Sequence, residues 1–246
     1  MSAAPERRAP ARGALVLVPV ALGDDAQWQD FLPAAAQGRT AALRHFVAET
    51  ARAARAHLKR LDFPGLLRDT DIKELPDNAD EAALDALLAP ALAGEDIGLM
   101  SDAGCPAVAD PGAKLVARAH THGLAVMPLV GPSSILLGLM GSGLNGQHFA
   151  FHGYLPAADE ARDRQLRTLE QESRRLERTQ IFIETPYRNE KMFAALLRVC
   201  QPRTRLCVAR DLATKDEYLR TLSIAEWRKE TAPRLAKRPA LFLLLA

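Results

Sequence analysis

Residues 99–112 read LMSDAGCPAVADPG, and this stretch decides how the chain is organised. Within fourteen residues it holds two Asp, two Gly, two Pro, a Ser and a Cys, whereas a simple turn needs one or two such residues. Gly104 and Gly112 permit backbone geometries closed to other residues. Pro106 and Pro111 fix their own φ and hold Cys105 and Asp110 extended. An apolar run at 97–100 precedes the stretch and helical spacing over 111–120 follows it, so it reads as a stiff, ligand-facing loop between a strand and a helix of an α/β domain.

Outward from this loop the same alternation repeats. Towards the N-terminus, ALVLVP (14–19) is a continuous, β-branched run typical of a strand buried on both faces. Helical spacing follows over 28–36, then a strand at 45–49, a helix over 50–61, a weak strand at 71–75 and a helix over 80–92. Towards the C-terminus come a strand at 124–128, an apolar helix over 135–140 and a strand at 148–152 that closes the series. Strands alternating with helices predict a mostly parallel sheet with helices on its faces. After GYLP (153–156) the texture changes to a charged helix over 159–177, then strands at 180–184, 205–210, 217–222 and 240–245 with a helix over 187–199. The expected organisation is a flexible tail (1–13), an N-terminal α/β domain (14–152), a linker (153–157) and a smaller mixed-sheet α/β domain (158–246).

Composition excludes several classes. The chain has 246 residues, 48% hydrophobic and 25% charged, which supplies ample core and argues against disorder. No apolar run approaches the roughly 20 residues of a membrane-spanning helix, and the charged N-terminus lacks a signal-peptide core, so the expectation is a soluble, cytoplasmic protein. Cys105, Cys200 and Cys207 are an odd number without metal-ligand spacing, which points to reduced thiols and no metal. Residues 1–150 carry 13 basic and 17 acidic groups, and residues 151–246 carry 19 and 13. A basic half suits a polyanion, though solvated helix faces give the same count.

In an open parallel sheet, ligands bind beyond the carboxyl ends of the strands. Five strand-end loops carry the unusual residues: 19–24, 49–52, 101–110, 131–134 and 184–188. Phosphate-cradling G-x-x-x-x-G-K-[ST], dinucleotide G-x-G-x-x-G and nucleophile-elbow G-x-S-x-G motifs are absent. Group transfer from a non-phosphate cofactor survives.

SDAGCPAVADPG (101–112), PLVGPSS (128–134), FHGYLP (151–156) and FIETPYR (182–188) together resemble the tetrapyrrole methylase family of S-adenosylmethionine-dependent methyltransferases. The nearest pattern is that of the branch that 2′-O-methylates a cytidine of small-subunit ribosomal RNA. The resemblance implies a two-domain α/β fold, S-adenosylmethionine held between the domains, a homodimer, and rRNA or a ribosomal subunit as partner. Carried over by position, Pro19, Gly23, Ser101, Asp102, Ala103, Val108, Ser133, Ser134, Glu184 and Ala240 would line the cofactor site. Where the branch has Ala-Glu-Asp-Thr-Arg, this chain has Ala48-Glu-Thr-Ala-Arg52, and Asp24, Cys105 and Arg238-Pro239 also depart from the pattern.

Methyl transfer from a sulfonium is an in-line displacement governed by positioning, and a hydroxyl acceptor needs a proton acceptor near it. Asp102 is the first candidate for an electrostatic or base role, against local bonding to its own loop. Glu49 is the second, with Arg52 either helping to hold the acceptor or forming a helix-start ion pair. Asp110, ahead of Pro111, reads as a helix N-cap. Ser133 and Ser134 fit capping and cofactor contact equally. Tyr187 and Arg188 are substrate-contact candidates, and Arg188, Arg198, Arg203 and Arg205 would form a basic rim for RNA. Cys105, His148 and His152 read as structural. The competing functions are methylation of a tetrapyrrole or other small molecule, and a non-catalytic cofactor-binding paralogue.

Overall fold

The computed structural model describes residues 12–246. They form two compact units, one of residues up to Ala21 with Ala26–Pro132, the other of Leu22–Asp25 with Ser133–Ala246.

The first unit contains β1 (Ala14–Leu17), α1 (Trp28–Phe31), α2 (Ala34–Ala41), β2 (His45–Ala48), α3 (Ala51–Arg60), β3 (Asp71–Glu74), α4 (Glu81–Leu92), β4 (Ile97–Met100), α5 (Ala113–Thr121) and β5 (Ala125–Pro128). All five strands run parallel in the order β3-β2-β4-β1-β5. Val16, Phe46, Ala48 and Met100 pack with Ala54 and Leu58 of α3 on one face. Leu15, Val47, Ile97 and Leu99 pack with α4 and α5 on the other. Burial on both faces is why β1 and β4 are uninterrupted apolar runs, whereas the edge strands β3 and β5 are partly exposed.

Helix starts follow local chemistry. Thr50 caps α3 by accepting from the Ala53 amide, and Asp80 caps α4 from the Ala83 amide. The helix expected over 28–36 is two helices, because Pro33 has no amide to continue α1 and instead opens α2.

The second unit contains α6 (Ser134–Ser142), β6 (Phe149–Tyr154), α7 (Asp159–Leu176), β7 (Thr179–Glu184), α8 (Asn189–Val199), β8 (Arg205–Arg210), β9 (Tyr218–Ser223), α9 (Ile224–Trp227) and β10 (Ala240–Leu245). Its sheet is mixed, in the order β6-β7-β10-β8-β9, with β6 and β7 parallel and the other pairs antiparallel. Phe182 and Phe242 stack under Leu166, Leu169, Phe193 and Trp227. Ile135 and Leu139 of α6 pack on Ile181, Leu241 and Leu243.

The domain boundary therefore differs from the expected linker at 153–157. The units divide after Pro132, and β6 is an edge strand of the second sheet. The physical cause is the fit of α6: a Cβ on Gly138 would stand 2.4 Å from Leu241, and Thr221 donates to the Ser142 carbonyl at 2.7 Å. Of the expected tail, residues 1–11 lie outside the described residues, while Gly13 is tied to the Ala91 carbonyl at 2.9 Å.

Gly98 in β4 leaves no room for a side chain, since a Cβ would lie 2.6 Å from the Phe46 ring. Gly98→Val is expected to cost about 1–3 kcal/mol, read as a lower urea midpoint. Gly38, inside α2 with nothing within 4 Å of its Cβ direction, gives the opposite sign: Gly38→Ala should stabilise by about 0.4–1 kcal/mol.

Candidate functional site

Strands β2 and β4 are neighbours whose onward connections diverge, β2 to the β3 edge and β4 past β1 to the β5 edge. Helix α3 leaves on one face and α5 on the other, so the carboxyl ends of β2 and β4 form the switch point where α/β sheets bind ligands. Glu49 follows β2 and Ser101 follows β4.

These two ends are bonded to each other. The Asp102 amide donates to Glu49 Oε2 at 3.1 Å, and the Thr50 hydroxyl donates to Asp102 Oδ1 at 2.9 Å. The Asp102 carbonyl accepts from His57 Nε2 at 3.0 Å, so that ring nitrogen carries the hydrogen. Asp102 is exposed, and Oδ2 accepts no hydrogen bond among the described residues.

The loop over 101–112 has a fixed and strained shape. Gly104, Ala107, Ala109 and Gly112 all have positive φ, which costs an alanine about 1–2 kcal/mol. Neighbouring strand ends hold it. Val20 bridges Gly104, the Cys105 thiol donates to the Pro132 carbonyl at 3.2 Å, and Gly131 lies so close to Pro19 that a Cβ would stand 2.2 Å away. Loops 49–52 and 101–110 thus meet residues 19–21 and 131–132 within the first unit, while 22–24, 133–134 and 184–188 belong to the second.

Asp110 is not the N-cap of α5. Gly112, at φ 132°, occupies that position without a side chain. Asp110 instead turns half-buried towards the acidic cluster. Burial first, then the charges of Glu49 and Asp102, push its carboxyl up to about 6, with a hydrogen bond from Ser101 pulling the other way. Burial also pushes the Cys105 thiol up, which fits an inert thiol.

The remaining candidates separate by unit. Pro19 and Ser101 are buried in the first unit, while Ala103 and Val108 are exposed. Arg52 is exposed and forms no ion pair among the described residues, so the helix-start pair with Glu49 is absent. In the second unit, Gly23 packs against Thr214, Ser133 caps α6 through the Leu136 amide, and Ser134 is that helix's first residue. Glu184 and Ala240 are buried register partners on β7 and β10. Arg188 donates to Glu184 from Nη2 at 2.6 Å and from Nε at 2.9 Å, so its charge is already matched by a buried carboxylate. Tyr187 is 82% exposed.

Thr50, His57 and Asp110 are the members that sequence reading did not place at the site. A Thr before a helix signals its cap, but no local pattern announces a partner 52 positions away. Among the described residues no group of three or more His, Cys, Asp or Glu is arranged to hold a metal ion, and no helix is long and apolar enough to cross a membrane. The cluster suits a cation: two carboxylates raise the proton affinity of a third, and Asp102 Oδ2 is unclaimed.

No family model matches the chain. It is 37% identical over 133 residues to ribosomal RNA small subunit methyltransferase I of Pseudomonas aeruginosa, covering 54% of this chain and 46% of that protein. The protein of the same name from Vibrio cholerae is 34% identical over 152 residues (62% and 51%), and that from Escherichia coli O157:H7 is 32% identical over 163 (65% and 56%). The chain spans about half the length of the curated relatives it matches. Among solved structures, the methyltransferase CobJ superposes with a TM-score of 0.59 at 16% identity, covering 94% of this chain and 93% of that one. Uroporphyrin-III C-methyl transferase from Thermus thermophilus, complexed with S-adenosyl homocysteine, gives 0.53 at 20% identity, with 95% and 97% covered. The fold is that of the tetrapyrrole methyltransferases, and the sequence likeness is to the rRNA methyltransferases, as the quoted motifs implied.

A carboxyl raised in the folded state binds more protons there than in the unfolded chain, so its contribution to stability falls as pH rises between its unfolded and folded values. For Asp110 that window runs from 3.8 to about 6. Asp110→Asn is expected to raise the thermal midpoint at pH 7.5 and to lose that advantage at pH 4, measured by calorimetry at both values.

Proposed function

We propose that this protein is an S-adenosylmethionine-dependent methyltransferase that 2′-O-methylates a cytidine of small-subunit rRNA. The observation that carries the transfer chemistry is the convergence of Glu49, Asp102 and Asp110 at the switch point, an anionic setting suited to a cationic donor. The choice of acceptor rests on the likeness to rRNA small subunit methyltransferase I. When bound, the sulfonium supplies an electrophilic methyl group and leaves as a neutral thioether.

The residues of this chain then bind, orient and handle one proton. Pro19, Ser101, Ala103 and Val108 in the first unit, with Gly23, Ser133, Ser134, Glu184 and Ala240 in the second, are the proposed cofactor contacts. Asp102 offers Oδ2 either to the donor's positive charge or to the proton of the attacking hydroxyl. Glu49 holds the Asp102 amide and so fixes that loop. Arg52 and Tyr187, both exposed, are the proposed acceptor contacts, and Arg188 joins them through its edge away from Glu184.

A polyanionic acceptor also needs unmatched cations. Arg198 is paired with Asp163, which takes it out of the expected rim together with Arg188. Arg203 is exposed and forms no ion pair among the described residues, and Arg205 reaches only the Gly143 carbonyl at 3.3 Å. These two carry the basic rim of the proposal. The proposal includes a homodimer, for which exposed Leu136, Met140 and Phe149 offer apolar surface, and a ribosomal subunit in the cytoplasm as the partner that the likeness to the rRNA methyltransferases suggests.

Mapping rRNA 2′-O-methylation in cells with and without the gene tests the acceptor: one cytidine should lose its methyl group and regain it on complementation. An unchanged map would move the reading to a small-molecule acceptor, which the likeness to uroporphyrin-III C-methyl transferase favours next. Asp102→Ala should slow transfer by roughly 100-fold or more while the circular-dichroism spectrum stays that of the parent. Wild-type turnover in that variant would remove Asp102 from the mechanism, and failure of the parent to bind donor or demethylated product would leave a non-catalytic protein.

A further inference from the structure

We propose that Thr50 is a positioning residue that aims the Asp102 carboxylate, and that this aim lets the site tell a cationic methyl donor from its neutral demethylated product. The inference rests on the methyltransferase reading above and assigns a role to a residue that departs from the family pattern.

The geometry leaves Asp102 little freedom. Its amide is held by Glu49 at 3.1 Å and its carbonyl by His57 at 3.0 Å, and His57 is itself only 7% exposed. The main chain is therefore fixed on both sides of the residue. The single Thr50 proton goes to Asp102 Oδ1 at 2.9 Å, and a Thr50 lone pair accepts from the Ala53 amide at 3.3 Å. One hydroxyl is thereby locked between the start of α3 and the carboxylate. With the backbone fixed and Oδ1 engaged, the direction of Oδ2 is set before any ligand arrives. Arg52, two residues further on, points to solvent and offers no competing charge to Asp102 among the described residues.

The chemical consequence lies in a difference of charge. Donor and product differ at the sulfur, positive in one and neutral in the other, so a carboxylate directed at that atom favours the donor by its Coulomb attraction. A carboxylate free to rotate into solvent loses most of that preference. Product release after transfer follows from the same discrimination, since the attraction disappears with the charge.

The test is the ratio of dissociation constants for S-adenosylmethionine and S-adenosylhomocysteine, measured by calorimetry on the full chain. Asp102→Asn should reduce the preference for the donor about tenfold, and Thr50→Val about threefold, relative to the parent protein. Thr50→Ser, which keeps the hydroxyl, should restore the parent ratio. Thr50→Val also removes the cap of α3, so Asp80→Ala, which removes the cap of α4, serves as the control for lost stability and should leave the ratio unchanged. An unaltered ratio in Thr50→Val, or in Asp102→Asn, overturns the inference while the methyltransferase reading stands. A parent protein that binds neither compound overturns both.

Discussion

The hydrogen bond from the Asp102 amide to Glu49 joins the ends of two parallel strands that have no other way to present polar chemistry. Residues 97–100 of β4 are buried throughout, as are Phe46, Val47 and Ala48 of β2. Every polar function of this part of the sheet is forced beyond the last buried residue. Because β2 and β4 are adjacent and parallel, their first polar residues arrive side by side. Glu49 arrives beside Ser101, and the next residue of that loop brings the like charge: Glu49 and Asp102 raise the proton affinity of Asp110. The cluster is a cost of the fold in the absence of a cation and a source of affinity in its presence.

The loop that carries Asp102 and Asp110 is held in an unfavourable shape by its neighbours rather than by its own sequence. Two alanines at positive φ would relax in an isolated peptide. The Val20 bridge, the Cys105 contact with Pro132 and the packing of Gly131 on Pro19 prevent this. Strain of this kind persists only where surrounding structure over-determines it. A carboxylate on such a loop keeps its direction, which is what the proposed displacement reaction would require, since its rate depends on alignment.

Much of the scaffold was legible. The continuous apolar runs at 14–19, 97–100 and 240–245 are strands because burial on both faces requires that composition, and Thr50 and Asp80 announce their helices by capping chemistry. Sheet membership was not legible, since a strand pattern carries no label for its partner. Phe149–Tyr154 pairs with β7, although its position after the first series of strands and helices suggested otherwise. Asp110 misled for a related reason: Asp-Pro-Gly before a helix has the local look of a cap, while a buried environment built from 49, 101 and 102 is visible only in three dimensions. The Glu184–Arg188 pair had the signal of i, i+4 spacing, and reading each residue for a separate ligand contact obscured it.

Charge counted along a chain and charge available at a surface are different quantities, and the second unit separates them. Residues 151–246 hold six more basic than acidic groups, yet Arg162, Arg178, Arg188, Arg198 and Arg220 are each committed to a carboxylate. Such pairs contribute little field at a distance because their opposite charges cancel within a few ångströms. Exposed Arg167, Arg174, Arg175 and Arg203 form no ion pair among the described residues. Three of these lie on α7, spaced by seven and one, and exposed Arg205, Lys215, Lys229, Arg234 and Lys237 likewise form no ion pair among the described residues, so the unmatched positive charge of the unit is spread over several elements and is not read off the arginine count alone. If the acceptor is the RNA proposed above, attraction of its backbone and placement of the reacting ribose fall to different residues of the chain: unmatched basic side chains act at long range, and the Asp102 loop supplies geometry at short range.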